Sequence, residues 1–448
     1  MNTSPPVTYH RNIGLYYTYG FLMNFGLWAG IWIKYLVAER HLELKWILFM
    51  DMPFWLLVAL LQAPTGALAD HIGRKWVMAI GCGLFSLTIL GFGLTTNYWM
   101  LFFDYVLWAF AMAMQSGSDS ALVYDSLKMD GAEKRFSKIA GRGFGIGLTA
   151  GMLGVVIGGF FASWTSLALT VQVSAVLPIV AMGCALLMRE PPIDRGERHY
   201  WRGLAGAFSF AWSTPPVRYT LIIGAIILTG TFGPVVLVQP FLLNHNVSTG
   251  LYGILQAPLR ATSVVAALVA FRVGAALGMG RLLLTVCLGI IGCYVGLAFV
   301  DASPAFAFFA LSSLMAGLSR PIIDTYLNAR IPSDRRATVL SLMQLCFSLQ
   351  VAFFEPALGV LTDDVSLTAA FVFSAGYFVV LMPPLLFLWR RAHNASPLPL
   401  VVAQEPVPVY FDSYIRVAPP ARCRGCSGTP TGRIRRWQTR ARTVRGPG

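Results

Sequence analysis

Charged side chains are scarce in this sequence: Asp, Glu, Lys and Arg make up 12% of its 448 residues, against 56% apolar residues. Soluble globular chains carry roughly 25% charged residues, so an ordinary soluble enzyme is excluded. Catalytic patterns are missing as well. There is no P-loop, dinucleotide fingerprint or zinc metalloprotease sequence, so no cofactor is expected and ATP-driven transport would need a separate nucleotide-binding protein. Of the seven cysteines, Cys82, Cys184, Cys287, Cys293 and Cys346 lie inside apolar runs, and only Cys423 and Cys426 stand close together. No disulfide scaffold follows, and a lone pair lacks the other ligands of a structural zinc site. Neither a carboxylate-rich sugar box nor a dense anion clamp is present.

What the chain has in abundance is long apolar runs, each long enough to cross the hydrocarbon layer as a helix. Twelve are expected, at 13–36, 46–69, 76–96, 98–124, 138–162, 167–188, 218–243, 249–271, 281–300, 303–327, 338–361 and 367–389. The first has no small-residue cleavage site after it, so it stays in the mature protein. The fold class is therefore an all-α polytopic membrane protein.

The breaks between runs alternate in basic content. One set holds Arg11, Arg74, Lys75, Lys128, Lys134, Arg135, Lys138, Arg142, Arg189, Arg195, Arg198, Arg202, Arg218, Arg272, Arg281, Arg330, Arg335, Arg336 and Arg390; the other holds Lys34, Arg40 and Lys45. Basic loops stay in the cytoplasm, which places both termini there, in a multi-pass protein of the cell (inner) membrane. The longest internal polar stretch divides the runs six and six: a first bundle over 1–190, a central cytoplasmic loop over 191–217, a second bundle over 218–390, and a basic tail over 391–448. Residues Ser116-Gly117-Ser118 with Asp125, and Ala316-Gly317-Leu318 with Asp324, repeat at an offset near 200, as two parallel bundles would. The tail carries much of the net charge of +14; disorder there and contact with anionic lipid are expected, rather than nucleic-acid binding.

Between the second and third runs stands Pro64-Thr65-Gly66-Ala67-Leu68-Ala69-Asp70-His71-Ile72-Gly73-Arg74-Lys75. It resembles the signature loop of the major facilitator superfamily, Gly-x-x-x-Asp-Arg-x-Gly-Arg-Arg/Lys, matching at Gly66, Asp70, Gly73, Arg74 and Lys75, with His71 in place of the usual Arg. The resemblance implies the major facilitator fold, twelve transmembrane helices in two six-helix bundles. It also implies a cytoplasmic gate in which Asp70 faces the start of the eleventh span near Ala337–Ser341 and Arg74 pairs with Asp125. Gly66 is expected to allow close helix contact. The stretch Ser116 to Leu127 resembles a bacterial subgroup whose substrates are poorly assigned. In the fifth span, Gly141, Gly154, Gly158 and Gly159 resemble part of an antiporter glycine pattern, with Ala150 and Val155 departing from it.

Ionisable groups in the spans tend to face a bundle interior, a partner or water. Arg260, near the middle of the eighth span, is the first candidate for the substrate site, the alternatives being an internal ion pair or a misplaced span boundary. Asp119 and Glu355 are candidates for proton coupling, ahead of Asp104 and Asp51. Arg320 and Asp324 share a helix face at i,i+4, which a local salt bridge explains as well as a transport role does. Asn24 and Gln115 can hydrogen-bond cargo or a neighbouring helix. The expected function is secondary active transport of a small, mainly apolar or amphipathic solute, as proton-coupled efflux, by a monomer that is not an enzyme. Proton-coupled uptake of a metabolite and a nontransporting receptor or scaffold are the alternatives.

Overall fold

A computed structural model describes residues 9–192, 200–300, 303–332 and 335–396. The described part of the tail ends at Ser396, so Cys423, Cys426 and the expected disorder and lipid contact of the tail lie outside the described residues. In chain order the helices are α1 (His10–Asn24), α2 (Trp32–Ala38), α3 (Leu44–Ile72), α4 (Arg74–Leu94), α5 (Tyr98–Gln115), α6 (Ser118–Met129), α7 (Phe136–Trp164), α8 (Leu167–Ser174), α9 (Val176–Leu187), α10 (Tyr200–Ser213), α11 (Pro215–Asn244), α12 (Thr249–Phe299), α13 (Ala307–Asn328), α14 (Arg336–Asp364) and α15 (Leu367–Ala395).

Among the described residues, ten helical segments are long and apolar enough to cross a membrane. The number differs from the twelve runs for two local reasons. The expected fourth span divides into α5 and α6 at Ser116-Gly117, where Gly117 takes φ 77. The expected eighth and ninth spans form one 51-residue helix, α12, interrupted at Gly278 with φ 73 and ψ 160. Only glycine takes that backbone conformation without strain.

Apolar side chains point both inward and outward, as hydrocarbon requires. Ile31, Tyr105, Tyr252, Tyr294 and Phe378 are buried, while Phe103, Leu268, Val380 and Phe387 stand exposed. With lipid no worse a solvent than leucine, close packing decides helix contacts, and small residues mark them: α13 meets α12 at Gly317, where an added Cβ would lie 2.1 Å from the Ser263 carbonyl.

The polar stretch 191–217 is not all loop. It contains α10, whose Ala207 and Ala211 join the main core while Phe208 and Trp212 face outward and stack at 5.9 Å. The following helix starts at Pro215 rather than near 218, because proline fits the first turn of a helix. Likewise α15 continues to Ala395, past the expected end near 389.

Candidate functional site

The site is built around a break in the first span. α1 stops at Asn24, Gly26 is extended, Leu27–Gly30 form a single 3₁₀ turn, and α2 resumes at Trp32. Broken backbone at membrane depth must find partners inside the protein, and two glutamines of the second half supply them. Gln256 Nε2 donates to the Gly30 carbonyl at 2.9 Å, and Gln239 Oε1 accepts from the Ile33 N–H at 3.1 Å. Both glutamines are buried.

The break lies against the glycine face of α7. A Cβ on Gly154 would lie 3.0 Å from the Gly26 nitrogen, and one on Gly158 would lie 2.0 Å from the Leu27 carbonyl oxygen. On the same helix Gly159 meets Gly253 of α12, where a Cβ on Gly253 would sit 2.1 Å from the Val155 carbonyl oxygen. Gly154, Gly158 and Gly159 are thus accounted for by backbone-to-backbone packing, which carries no information about the direction of transport, while Gly141 has open space beside it.

Farther along the same face, Gly147 and Gly151 leave room for side chains. A Cβ on Gly147 would meet the Asn24 amide at 3.1 Å, and one on Gly151 would meet Arg260 Nη1 at 3.2 Å. Arg260 of α12 and Asn24 of α1 are both exposed, and both lie against the glycine face of α7. Asn24 Nδ2 donates to the Gly20 carbonyl at 2.8 Å.

A buried acidic pair lies where α3 packs against α14. Glu355 is 1% exposed and Asp51 is 7% exposed, within electrostatic reach of each other. The Trp55 indole N–H donates to Glu355 Oε2 at 3.0 Å. Tyr105, also within electrostatic reach of both acids and of Asp104, has a buried hydroxyl with no hydrogen-bond partner among the described residues. Trp55 also packs edge-on against Phe232 and Phe347. At the adjoining helix ends the Lys45 N–H donates to Asp363 at 2.7 Å, Lys45 Nζ pairs with Asp364 at 2.8 Å, and a Cβ on Gly359 would lie 2.6 Å from Lys45 Cα. At this end, away from the basic loops, α3 and α14 are therefore in close contact.

The basic end is arranged differently. Arg74 pairs with Asp125 and lies 3.9 Å from Asp70 on the preceding turn. Glu190, which the sequence reading missed, accepts from the backbone N–H of Arg74 at 2.8 Å and of Lys75 at 2.9 Å, capping α4 just after Gly73 with its φ of 101. Asn12 adds a further tie, donating to Ser126 and to the Arg189 carbonyl at 2.8 Å each. These contacts all join elements of the first half. Asp70 is exposed, and among the described residues no contact links it to Ala337–Ser341. Gly66 is exposed too, with open space where its Cβ would be. Among the described residues, neither Asp70 nor Gly66 has a contact with α14. Lys75 lies over the Trp76 ring, and His71 is exposed.

The remaining candidates are dispersed. Asp119 accepts from its neighbour Ser120 N–H at 2.6 Å and sits within electrostatic reach of Tyr16 and Tyr19. Arg320 and Asp324 form a 3.0 Å salt bridge along α13. Gln115 donates to the Gly81 carbonyl at 3.1 Å, within the first half. Asp104 faces Gly91 beside a void of about 20 Å³ bordered by Trp28, Phe85 and Trp108, with room for one water.

A hydrogen-bonded ion pair with both members partly buried should matter for stability. Arg74→Ala and Asp125→Asn are each expected to destabilise the purified protein by about 1–3 kcal/mol, and the double variant by less than their sum. Full additivity in a thermal-unfolding cycle would show that the pair is not coupled.

The family model described as Major Facilitator Superfamily matches residues 14–349. No curated protein matches the sequence. Among solved structures, the fold is similar to that of the nucleoside transporter NupG, at 15% identity and a TM-score of 0.65, covering 86% of this chain and 98% of that one. It is similar as well to a bacterial homolog of the human lysosomal transporter Spinster in an inward-facing, unoccupied conformation, at 17% identity and a TM-score of 0.66, with the same two coverages of 86% and 98%. A D-xylose-proton symporter gives 14% identity and a TM-score of 0.66, again over 86% and 98%. A family match spanning the broken first span, the Asp70 loop and the first part of α14 means that the chain belongs to the Major Facilitator Superfamily, as a membrane-embedded secondary transporter of a small solute and not an enzyme.

Proposed function

We propose that the protein takes up a small solute together with protons, through twelve crossings arranged as two six-helix bundles with the basic loops and both termini in the cytoplasm. The two limbs of α12, 249–277 and 279–299, are each more than about 30 Å long at 1.5 Å per residue, enough for one crossing apiece. α5 and α6 together make another. With the basic end cytoplasmic, the contacts through Gln239, Gln256, Lys45 and Trp55 close the outer side, and Arg260 and Asn24 face a cavity open to the cytoplasm. The conformation is then inward-open. Asp70, Gly66, Gly73, Arg74, Lys75 and Asp125 are assigned to the cytoplasmic gate, which shuts in the opposite state.

The observation that carries proton coupling is the Asp51–Glu355 pair, buried across the closed contact between the halves. Taking carboxylates out of water costs several kcal/mol each, so closing the outer side is linked to proton uptake there, and uptake of solute with protons then requires that the pair pass its protons toward the cytoplasmic side before the outer side reopens. Likeness in fold to a proton symporter supports inward movement; the efflux reading loses its support once Gly154, Gly158 and Gly159 are explained by packing.

Purified protein in vesicles with an acidic exterior should accumulate solute uphill, and a protonophore should abolish the accumulation. Solute leaving against an inward proton gradient would reject uptake. For topology, impermeant thiol reagents applied to cells should reach single cysteines placed near residues 42 and 363 but not near 130 or 205. Labelling at 205 in intact cells would overturn the orientation.

A further inference from the structure

Arg260 sits about 17 Å along α12 from Thr249 at 1.5 Å per residue, deep in the hydrocarbon layer and beyond easy snorkelling. Among the described residues it has no hydrogen bond and no ion pair. The acids that could neutralise it are engaged elsewhere: Glu355 with Trp55, Asp119 with Ser120, Asp125 with Arg74, Asp324 with Arg320. A lone guanidinium at this depth costs about 2.5–3.5 kcal/mol or more, yet the Arg260 side chain is exposed. Gly151 lets it lie close against α7: a Cβ there would stand 3.2 Å from Arg260 Nη1 and 3.6 Å from the Asn24 carbonyl.

We propose that Arg260 receives the single negative charge of the cargo, which makes the cargo an organic monocarboxylate. This rests on the transport reading above and narrows its substrate class. A guanidinium presents a planar pair of donors that fits a carboxylate bidentately. One fixed cation balances one negative charge, so a phosphate ester dianion would leave a charge uncompensated in the cavity, whereas a neutral sugar or nucleoside would leave the guanidinium unpaired throughout the cycle. The geometry also supplies a reason for the halves to move. Arg260 belongs to the second half and Asn24 to the first, so an anion held between α12 and the α1 break touches both, and binding favours the state in which they approach.

The test uses the full chain, purified and reconstituted, with lactate, benzoate and salicylate as monocarboxylate probes, uridine and D-xylose as neutral probes, and glycerol 3-phosphate as a dianion. At least one monocarboxylate should bind and raise the melting temperature, with the neutral and dianionic probes inert. Arg260→Gln should weaken that binding tenfold or more, and Arg260→Lys, which keeps the charge but loses the fork, should weaken it less. If Arg260→Gln does not fold, Gly151→Leu, which keeps the arginine but crowds its guanidinium, should cause the same loss. Binding of no monocarboxylate, or equal affinity in wild type, Arg260→Gln and Gly151→Leu, overturns the proposal. Proton-driven flux of uridine or D-xylose that survives Arg260→Gln also overturns it while leaving the transport reading intact. Arginine-dependent benzoate binding without flux supports the anion site and removes the transport reading instead.

Discussion

Gly253→Ala is expected to reduce transport by about a hundredfold or more while both halves remain folded. The added methyl would lie 2.1 Å from the Val155 carbonyl oxygen and 2.5 Å from Val156 Cα, both backbone atoms of a long helix that cannot step aside. Overpacking of this kind costs about 1–3 kcal/mol and sometimes more, and a hundredfold loss of rate corresponds to about 2.7 kcal/mol. The clash exists only where α12 of the second half meets α7 of the first, so the state closed at the non-basic end bears the whole penalty. Single cysteines near that end should become more reactive in the variant. Gly158→Ala makes an equally severe contact, 2.0 Å from the Leu27 carbonyl oxygen, but inside the first half; it should lower the amount of folded protein instead. Normal uptake by Gly253→Ala would show that the close approach of α7 and α12 is not part of the cycle.

The second large effect is expected at the acidic pair. Glu355→Gln replaces a group that must be neutralised to enter the closed contact by one that is already neutral, so closure no longer needs a proton. Uphill accumulation driven by an acidic exterior should fall at least tenfold, while downhill equilibration of solute persists. In Glu355→Gln the dependence of accumulation on the imposed pH gradient should flatten. Asp51→Asn should act in the same direction. Trp55→Phe removes the indole N–H that meets Glu355 at 3.0 Å together with part of the ring packed on Phe232 and Phe347, and should weaken closure by about 1 kcal/mol, the usual size of a hydrogen bond to a neutral group, or more, without uncoupling it. Asp104→Asn, on the face of α5 toward Gly91, should leave coupling unchanged. Undiminished accumulation in Glu355→Gln and Asp51→Asn together would remove the pair from the proton path.

Much of the protein can be read in one dimension. Hydrocarbon imposes a minimum length on any helix that crosses it, so the apolar runs locate the membrane segments. The Gly66–Lys75 loop names the family because its residues are contiguous, and Arg320 and Asp324 pair at 3.0 Å because i,i+4 spacing already puts them on one face. Positions where glycine relaxes the backbone were less visible: the break between 271 and 281 is plain in the sequence, but that it is made at Gly278 alone, with helix continuing on both sides, is not.

The contacts that shape the site depend instead on how helices distant in sequence are rotated and spaced. Gln256 and Gly30 are 226 positions apart, Gln239 and Ile33 206, Trp55 and Glu355 300, and Glu190 and Arg74 116. Composition shows a glutamine in an apolar run without showing which backbone carbonyl it must satisfy, since that carbonyl is orphaned only because α1 breaks at Asn24. Asp70 illustrates the complementary case: its motif is plain in the sequence, but its partner depends on which end of the molecule is shut, and here α3 and α14 are in close contact at the end carrying Lys45 and Asp363. What local chemistry determines by itself is therefore the membrane habit, the family and the polar residues placed at depth. Packing decides which of those residues meet across the halves, because burial and orphaned backbone groups arise only after the helices are assembled.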